Sequence, residues 1–153
     1  MPSRSSQQRQ TDAVGRLASD PNVWIATASP LGIPHLVPLS LAWIDDRIVV
    51  STPTDTPTVR NAVATGRVRA ALDSAADVVV IDCEVREISL AEADAELLAT
   101  YVARVGWDPR QEPGEWSLLL LTPMRVQAWN GVPEIEQRTI MKRGIWTHEE
   151  TDL

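Results

Sequence analysis

Apolar and β-branched residues in the first half of the chain form short runs that are separated by turn residues. The first run is Val23–Ser29, and after a Pro/Gly segment the second is His35–Trp43. Both sets of alternating positions in the second run are largely apolar, which predicts a strand covered on both faces. The pair Asp45-Asp46 predicts a hairpin turn into a third strand, Arg47–Thr52.

The second predicted strand carries two residues of interest. Pro38 has no N–H to donate, so it predicts an edge or a bulge, where backbone groups stay free to meet a ligand. His35 opens the strand and has two interpretations: a solvent-facing strand end, or a contact with a ligand bound beside the strand.

The second half of the chain begins with a helix signal. A capping-box pattern starts at Ser89, and an apolar stripe with helical spacing follows it and stops before Gly106. The Pro/Gly-rich segment Trp107–Glu115 is either a lid or a simple return to the sheet. Two more strands are predicted, Trp116–Leu121 and Arg125–Trp129.

The segment Ser51–Ala71 has the most candidate chemistry, because a strand runs into a hydroxyl-rich turn and a short helix. Its hydroxyl donors are Thr52, Thr54, Thr56 and Thr58. Pro57 suits the first helical position, the free N–H groups of a helix start attract an anion, and Arg60 adds a planar charge. The alternative is that Thr56 merely caps a connector helix that ends at Gly66.

The order of these segments resembles the pyridoxamine 5'-phosphate oxidase-like family of flavin- and deazaflavin-binding split β-barrels. The segments that carry the resemblance are Trp24–Trp43, Ser51–Leu72, Asp77–Val85 and Leu118–Trp129. Each motif alone is weak, and their succession at these spacings is the more specific signal. Together they span most of the chain.

The resemblance implies a mainly β fold. We expect a split β-barrel of six to seven mostly antiparallel strands with two to three short helices, the first of them starting near Gln8. The barrel domain would span residues 13–146, between a flexible N-terminus (1–12) and a flexible tail (147–153). A homodimer is implied, because the cofactor pockets of such proteins lie in the groove between subunits.

The resemblance also implies a cofactor site. The positions along the cofactor ring are Val37, Pro38, Leu39 and Ser40. The positions at its phosphate end are Thr52, Thr54, Thr58, Arg60 and Asn61. Many flavin-binding members carry a lysine where this chain has Thr58, so one positive charge is missing from the expected phosphate ligands.

The implied function is an oxidoreductase that binds FMN or coenzyme F-420, with the cofactor undecided, and moves a hydride or electrons to or from a small organic substrate. No catalytic side chain is identified, since the cofactor supplies the reactivity. The alternative is a non-catalytic protein that binds or sequesters flavin, deazaflavin, haem or another ligand. An oxidase acting on pyridoxamine 5'-phosphate is disfavoured, because the expected C-terminal motif is replaced by Lys142–Trp146.

Charge and composition exclude several other classes. A net charge of −7 disfavours nucleic acid as a partner. No run reaches the ~20 apolar residues that cross a bilayer, and the polar N-terminus lacks a signal sequence, so we expect a cytoplasmic protein. Cys83 is the only cysteine and predicts a buried thiol, while His35 and His148 fit no metal-ligand spacing.

Overall fold

The computed structural model describes residues 2–148, in which the chain forms nine strands and four α-helices. The strands are β1 (Asn22–Ala28), β2 (Pro34–Ser40), β3 (Ala42–Ile44), β4 (Arg47–Pro53), β5 (Arg67–Ala71), β6 (Val78–Ser89), β7 (Trp116–Trp129), β8 (Thr139–Lys142) and β9 (Ile145–Trp146). The helices are α1 (Ser6–Ser19), α2 (Pro57–Thr65), α3 (Ala95–Val105) and α4 (Val132–Ile135). Of the tail predicted over 147–153, the part from 149 onward lies outside the described residues.

A single residue, Leu41, joins the two ends of the sheet. The strand order is β2-β1-β5-β6-β7-β4-β3, and every pair is antiparallel. Because β2 and β3 stand at opposite ends of this order and yet follow each other in sequence, the sheet has to curl into a half-barrel. The mainly β split-barrel prediction is confirmed, with β8 and β9 added beside β7.

Strand β7 is the longest strand and links three others. It pairs with β6 over most of its length, with β4 through its first half and with β8 through its second half. The sequence predicted two strands here, but the structure has one. The ladder shifts register between Asp82 and Cys83 opposite Pro123, so a bulge accommodates the residue that cannot donate.

Helix α1 covers one side of the main core. Ala13 and Leu17 on its buried face join a cluster that includes Ile25 and Ile81 of the sheet. The helix starts at Ser6, two residues before the predicted Gln8, because the Ser5 side chain caps it by accepting a hydrogen bond from the Gln8 N–H at 3.0 Å. The segment expected to be flexible thus contains the first half of α1.

A buried ion pair fixes the chain just before α1. Both guanidinium and backbone nitrogens of Arg4 donate to the carboxylate of Glu134, at 2.7–3.0 Å. The Asn130 N–H donates to the same carboxylate at 2.9 Å. These bonds, led by those from the Arg4 side chain, lower the pKa of Glu134 to about 2 although burial opposes the shift.

Helix α3 begins later than its sequence signal predicted. Ser89 makes no side-chain cap, and Leu90–Glu92 form a short 3-10 turn. Asp94 is the actual cap, since its carboxylate accepts from the Leu97 N–H at 3.1 Å. The predicted end is confirmed, because Gly106 closes the helix with a left-handed φ of 79°. The buried face of α3 packs on a second core cluster beside β3, β4 and β7.

Candidate functional site

Strand β2 is an edge strand, as Pro38 predicted, and its two faces differ. Val37 and Leu39 are half-buried and pack on the main core. Leu36 and Pro38 point the other way and are exposed, and Trp24 of β1 lies opposite Pro38 in the register. The prediction that both faces are covered therefore does not hold within one chain. The outer face of this strand is a surface that a ligand or another chain can reach.

The C-terminal end of β2 is fixed by two aromatic side chains. The Ser40 carbonyl accepts a hydrogen bond from the Tyr101 hydroxyl at 3.4 Å. The Ser40 Oγ accepts from the Trp107 Nε1–H at 3.1 Å. Ser40, predicted as a ring contact, therefore lies against α3 and the segment that follows it.

Tyr101 also bonds to β4. Its oxygen lies 3.2 Å from the backbone nitrogen of Ser51 and 3.0 Å from Ser51 Oγ. Through these bonds the fully buried Tyr101 joins β2 to β4. Sequence reasoning placed Tyr101 only in an apolar stripe. A phenol among aliphatic residues and a serine inside an apolar strand are the signals that could have indicated this contact.

An aromatic pair connects Ser40 to the start of the hydroxyl-rich turn. The rings of Trp107 and Trp116 meet edge to face, with centroids 5.6 Å apart. Trp116 opposes Pro53 in the β4–β7 register, and Pro53 is the last residue of β4. The Pro/Gly segment 107–115 therefore begins and ends beside candidate site residues.

The turn between β4 and α2 has the predicted local structure. Thr56 caps α2 by accepting from the Val59 N–H at 3.4 Å, and its own hydroxyl donates to the Pro53 carbonyl at 3.0 Å. Pro57 is the first helical residue, and Gly66 ends the helix with a φ of 71°. Pro57 has no N–H, the Val59 N–H is capped by Thr56, and the Arg60 N–H donates to the Thr56 carbonyl at 3.0 Å, so the start of α2 leaves few N–H groups for an anion.

Arg60 on α2 lies beside this turn, where it is paired within the chain. Its Nη1 lies 2.7 Å from Oδ1 of Asp55, the residue before the cap. The Arg60 side chain is 59% exposed and that of Asp55 is fully exposed. Exposed ion pairs of this kind contribute at most about 1 kcal/mol to the stability of a protein, so an anionic ligand can displace Asp55 from Arg60.

Three of the predicted phosphate ligands are buried. Thr52 and Thr58 lie inside the protein, and Asn61 donates from Nδ2 to Thr27 Oγ1 of β1 at 3.1 Å. This bond ties α2 to β1 beside the N-terminal half of β2, where His35 opposes Thr27. These three side chains therefore pack inside the protein next to the turn and do not line its surface.

Thr54 is half-buried, unlike the buried Thr52 and Thr58, and belongs to a hydrogen-bonded chain. Its Oγ1 lies 2.7 Å from Ser117 Oγ on β7, and Ser117 Oγ lies 2.8 Å from Glu87 Oε1 on β6. The Thr54 N–H donates to the Glu115 carbonyl at 2.9 Å. Neither Ser117 nor Glu87 was identified from the sequence.

Two surface depressions contain parts of the predicted site. One, of about 270 Å³, includes Pro38, Leu39 and Ser40 together with Trp24. The other, of about 530 Å³, lies at the turn and is lined by Pro53, Thr54, Asp55, Pro113, Gly114 and Glu115. Neither depression includes Thr52, Thr58, Arg60 or Asn61. The structure thus places three of the four ring positions and Thr54 in separate depressions, and the Trp107–Trp116 pair lies between Ser40 and Pro53.

Other candidate chemistry has structural explanations. Cys83 is buried, and burial raises the pKa of its thiol, which disfavours a nucleophilic thiolate. Asp45 and Asp46 form the predicted two-residue hairpin turn, with φ values of 52° and 59°. In residues 2–148, His, Cys, Asp and Glu side chains form no cluster of three that would bind a metal. Over the same range, no helix is long and apolar enough to span a membrane.

Comparison with known proteins gives a family match. The family described as pyridoxamine 5'-phosphate oxidase matches residues 11–130, which is more than half of the chain. No curated protein matches the sequence.

Several solved structures share the fold. A conserved hypothetical protein of Mycobacterium tuberculosis is 18% identical with a TM-score of 0.62, covering 79% of this chain and 84% of that one. An F-420 reductase is 15% identical with a TM-score of 0.59, covering 73% and 93%. HutZ, a haem storage protein of Vibrio cholerae, is 14% identical with a TM-score of 0.61, covering 78% and 94%. At these identities the likeness concerns the fold alone.

Proposed function

Because the chain belongs to the pyridoxamine 5'-phosphate oxidase family, we propose that it binds FMN or coenzyme F-420 and works as an oxidoreductase on a small organic substrate. A structural neighbour that is an F-420 reductase supports the deazaflavin, and the family supports a flavin. A titration with both cofactors, described at the end of this section, distinguishes between them.

The main observation behind the proposal is the set of hydrogen bonds by which Tyr101 joins β2 to β4; we call this contact the Tyr101 seam. The Tyr101 hydroxyl bonds Ser40 at the end of β2 and Ser51 on β4, so the proposed ring strand and the strand leading to the phosphate turn are fixed beside each other. The proposed ring contacts are Val37, Pro38, Leu39 and Ser40. Of the predicted phosphate positions, Arg60 is the proposed direct contact; Thr52, Thr58 and Asn61 are buried, and Thr54 lies on the wall of the depression at the turn.

The residues at the turn fit a phosphate group. Arg60 on α2 offers a planar guanidinium held only by an exposed pair with Asp55. Thr58 and Asn61 are buried beneath this surface and shape it. The lysine missing at position 58 leaves Arg60 as the main charged contact in our assignment.

The protein's own contribution is binding and orientation. When bound, the cofactor would supply the hydride or electron transfer. Strand β2 would contact the cofactor ring, since an edge strand has backbone groups available to a ligand. The indoles of Trp107 and Trp116 would exclude water between the two hollows.

We propose that the functional form of the protein is a homodimer. Four apolar side chains around the β1–β2 hairpin are exposed, namely Trp24, Leu31, Ile33 and Leu36. We call this surface the hairpin patch. A second copy packed against it would cover the outer face of β2 and close the first hollow, which is shallow in one chain. The ring site would then be shared between subunits.

A second candidate function is storage or sequestration of a ligand without catalysis. It is favoured by Thr58, which replaces a cation, and by Asp55, which neutralises Arg60. One structural neighbour is a haem storage protein. The ligand in this case would be a flavin, a deazaflavin or haem.

The test is a parallel titration of the purified protein with FMN, oxidised F-420 and haem, followed by tryptophan fluorescence. Micromolar binding of FMN or F-420, with turnover when a reductant and an acceptor are added, supports the oxidoreductase. Binding of any of the three without turnover supports sequestration. Failure of FMN and F-420 to bind contradicts the first proposal.

A further inference from the structure

A chain of hydrogen bonds connects the β4–α2 turn to a carboxylate on β6. The chain runs from Thr54 Oγ1 to Ser117 Oγ over 2.7 Å, and from Ser117 Oγ to Glu87 Oε1 over 2.8 Å. Ser117 is fully buried, and Glu87 is half-buried. Thr54 stands at the other end, on the wall of the depression at the turn. Glu87 is thereby connected to a surface that we assign to a ligand.

Counting hydrogens fixes the direction of these bonds. A hydroxyl has one hydrogen to donate, and an ionised carboxylate has none. Ser117 therefore donates to Glu87, and the Ser117 oxygen accepts the hydrogen of Thr54. The only hydrogen of the Thr54 hydroxyl is then used within the protein, and Thr54 offers a ligand only lone pairs.

We propose that Glu87 determines the hydrogen-bonding polarity of this turn, so that the ligand group placed against Thr54 is a hydrogen-bond donor and not a phosphate oxygen. The inference rests on the proposed function in one respect, since it takes the β4–α2 turn as one end of the ligand site. The phosphate is then bound by the Arg60 side chain, and a hydroxyl or N–H of the ligand donates to Thr54.

The surroundings of Thr54 agree with this polarity. Asp55 and Glu115 line the same depression, so its walls carry two carboxylates. The Thr54 N–H is also used, because it donates to the Glu115 carbonyl. Thr54 thus offers an anion neither of its own hydrogens.

Two variants free the hydroxyl hydrogen of Thr54 from its bond to Ser117 in different ways. Ser117→Ala removes the oxygen that accepts it and leaves the net charge unchanged. Glu87→Gln replaces one carboxylate oxygen by an NH2 group, and with that group against Ser117 the chain reverses and Thr54 becomes a donor. Glu84→Gln is the matched control, since it removes one charge from an exposed position on the same strand, opposite Thr122.

The probe is inorganic phosphate at constant ionic strength and pH 7, followed by the backbone amide NMR signals of residues 54–60. We expect Ser117→Ala and Glu87→Gln to bind phosphate about three- to tenfold more tightly than the native protein, as expected for one gained hydrogen bond. Glu84→Gln should stay within about twofold of native, because it adds no hydrogen bond.

The inference is overturned if neither Ser117→Ala nor Glu87→Gln gains more phosphate affinity than Glu84→Gln, or if no variant shows saturable phosphate binding. Ser117 is buried, so its variant is first checked by thermal unfolding. If Ser117→Ala does not fold, Glu87→Leu takes its place, because leucine offers Ser117 no acceptor and leaves the Ser117 hydrogen for Thr54. A parallel FMN titration separates this test from the proposed function. FMN that binds none of these proteins contradicts the cofactor assignment, while the phosphate comparison still decides the polarity of Thr54.

Discussion

The hydroxyl of Tyr101 makes two hydrogen bonds to Ser51, one to the backbone nitrogen at 3.2 Å and one to Oγ at 3.0 Å. The first residue lies on α3 and the second on β4, fifty positions away in sequence. Burial raises the pKa of this phenol, so it stays neutral and can donate. Its third bond, to the Ser40 carbonyl, makes it a link between three elements.

Tyr101→Phe should lower the free energy of unfolding by about 1–3 kcal/mol, because it leaves the buried Ser51 N–H without this partner. Urea unfolding followed by tryptophan fluorescence measures the change. The control is Thr100→Ala, which removes an exposed hydroxyl bonded to the Glu96 carbonyl in the same helix. Equal losses in the two variants would contradict the role of Tyr101 in the seam.

Arg60→Ala should weaken FMN or F-420 binding by about 10- to 100-fold, the equivalent of a charge-assisted hydrogen bond of about 1.5–3 kcal/mol. Arg69→Ala is a closely matched control, since its side chain is also 59% exposed and also pairs with an aspartate, Asp82. Titrations followed by tryptophan quenching compare the two. If the two variants have similar affinities for the cofactor, Arg60 is not a cofactor contact.

The Arg4–Glu134 pair should make stability depend on pH in the acid range. The pKa of Glu134 is lowered from 4.5 to about 2 in the folded protein, so its stabilisation is complete above 4.5 and is lost as the pH falls toward 2. Thermal unfolding at pH 7, 4.5 and 3 measures this loss in the native protein.

Glu134→Gln should be less stable than native at pH 7 and should lose less stability between pH 4.5 and 3. The control is Glu136→Gln, an exposed change two residues away that should leave the native pH profile unaltered. A native profile in Glu134→Gln would show that the pair contributes little.

Self-association should depend on the hairpin patch. Leu36→Asp places a charge on a side chain that is 59% exposed in one chain, and burying that charge in a dimer would be costly. Sedimentation equilibrium should find a native dimer and a largely monomeric variant. Val132→Asp, at an 82% exposed position on α4, should remain dimeric. A monomeric native protein would contradict the dimer itself.

Features with local signals could be predicted from the sequence. The Asp45-Asp46 turn and the limits of α2, set by Thr56 and Gly66, depend on residues within a few positions of each other. The start of α3 could not, because Ser89 and Asp94 are both suitable cap residues within one short segment and only the Asp94 side chain accepts from a helix N–H.

The contacts that define the candidate site join distant segments. Thr54 and Ser117 are 63 positions apart, and Ser40 and Trp107 are 67 apart. Local patterns do not encode such pairs, so the sequence indicated the turn and the ring strand without Glu87, Ser117 or Tyr101. Polar residues inside apolar strands are the remaining clue, since buried hydroxyls require partners.

Leu41 has a consequence for the order in which the barrel forms. It links two hairpins, β1–β2 and β3–β4, that each form from neighbouring residues, whereas β4 also pairs with β7, whose Leu121 lies 73 positions after its partner Ile48. Because this pairing joins distant segments, we expect the docking of β7 on β4 to limit the folding rate. The two hairpins, which carry the ring positions and lead into the turn, would form before that slow step.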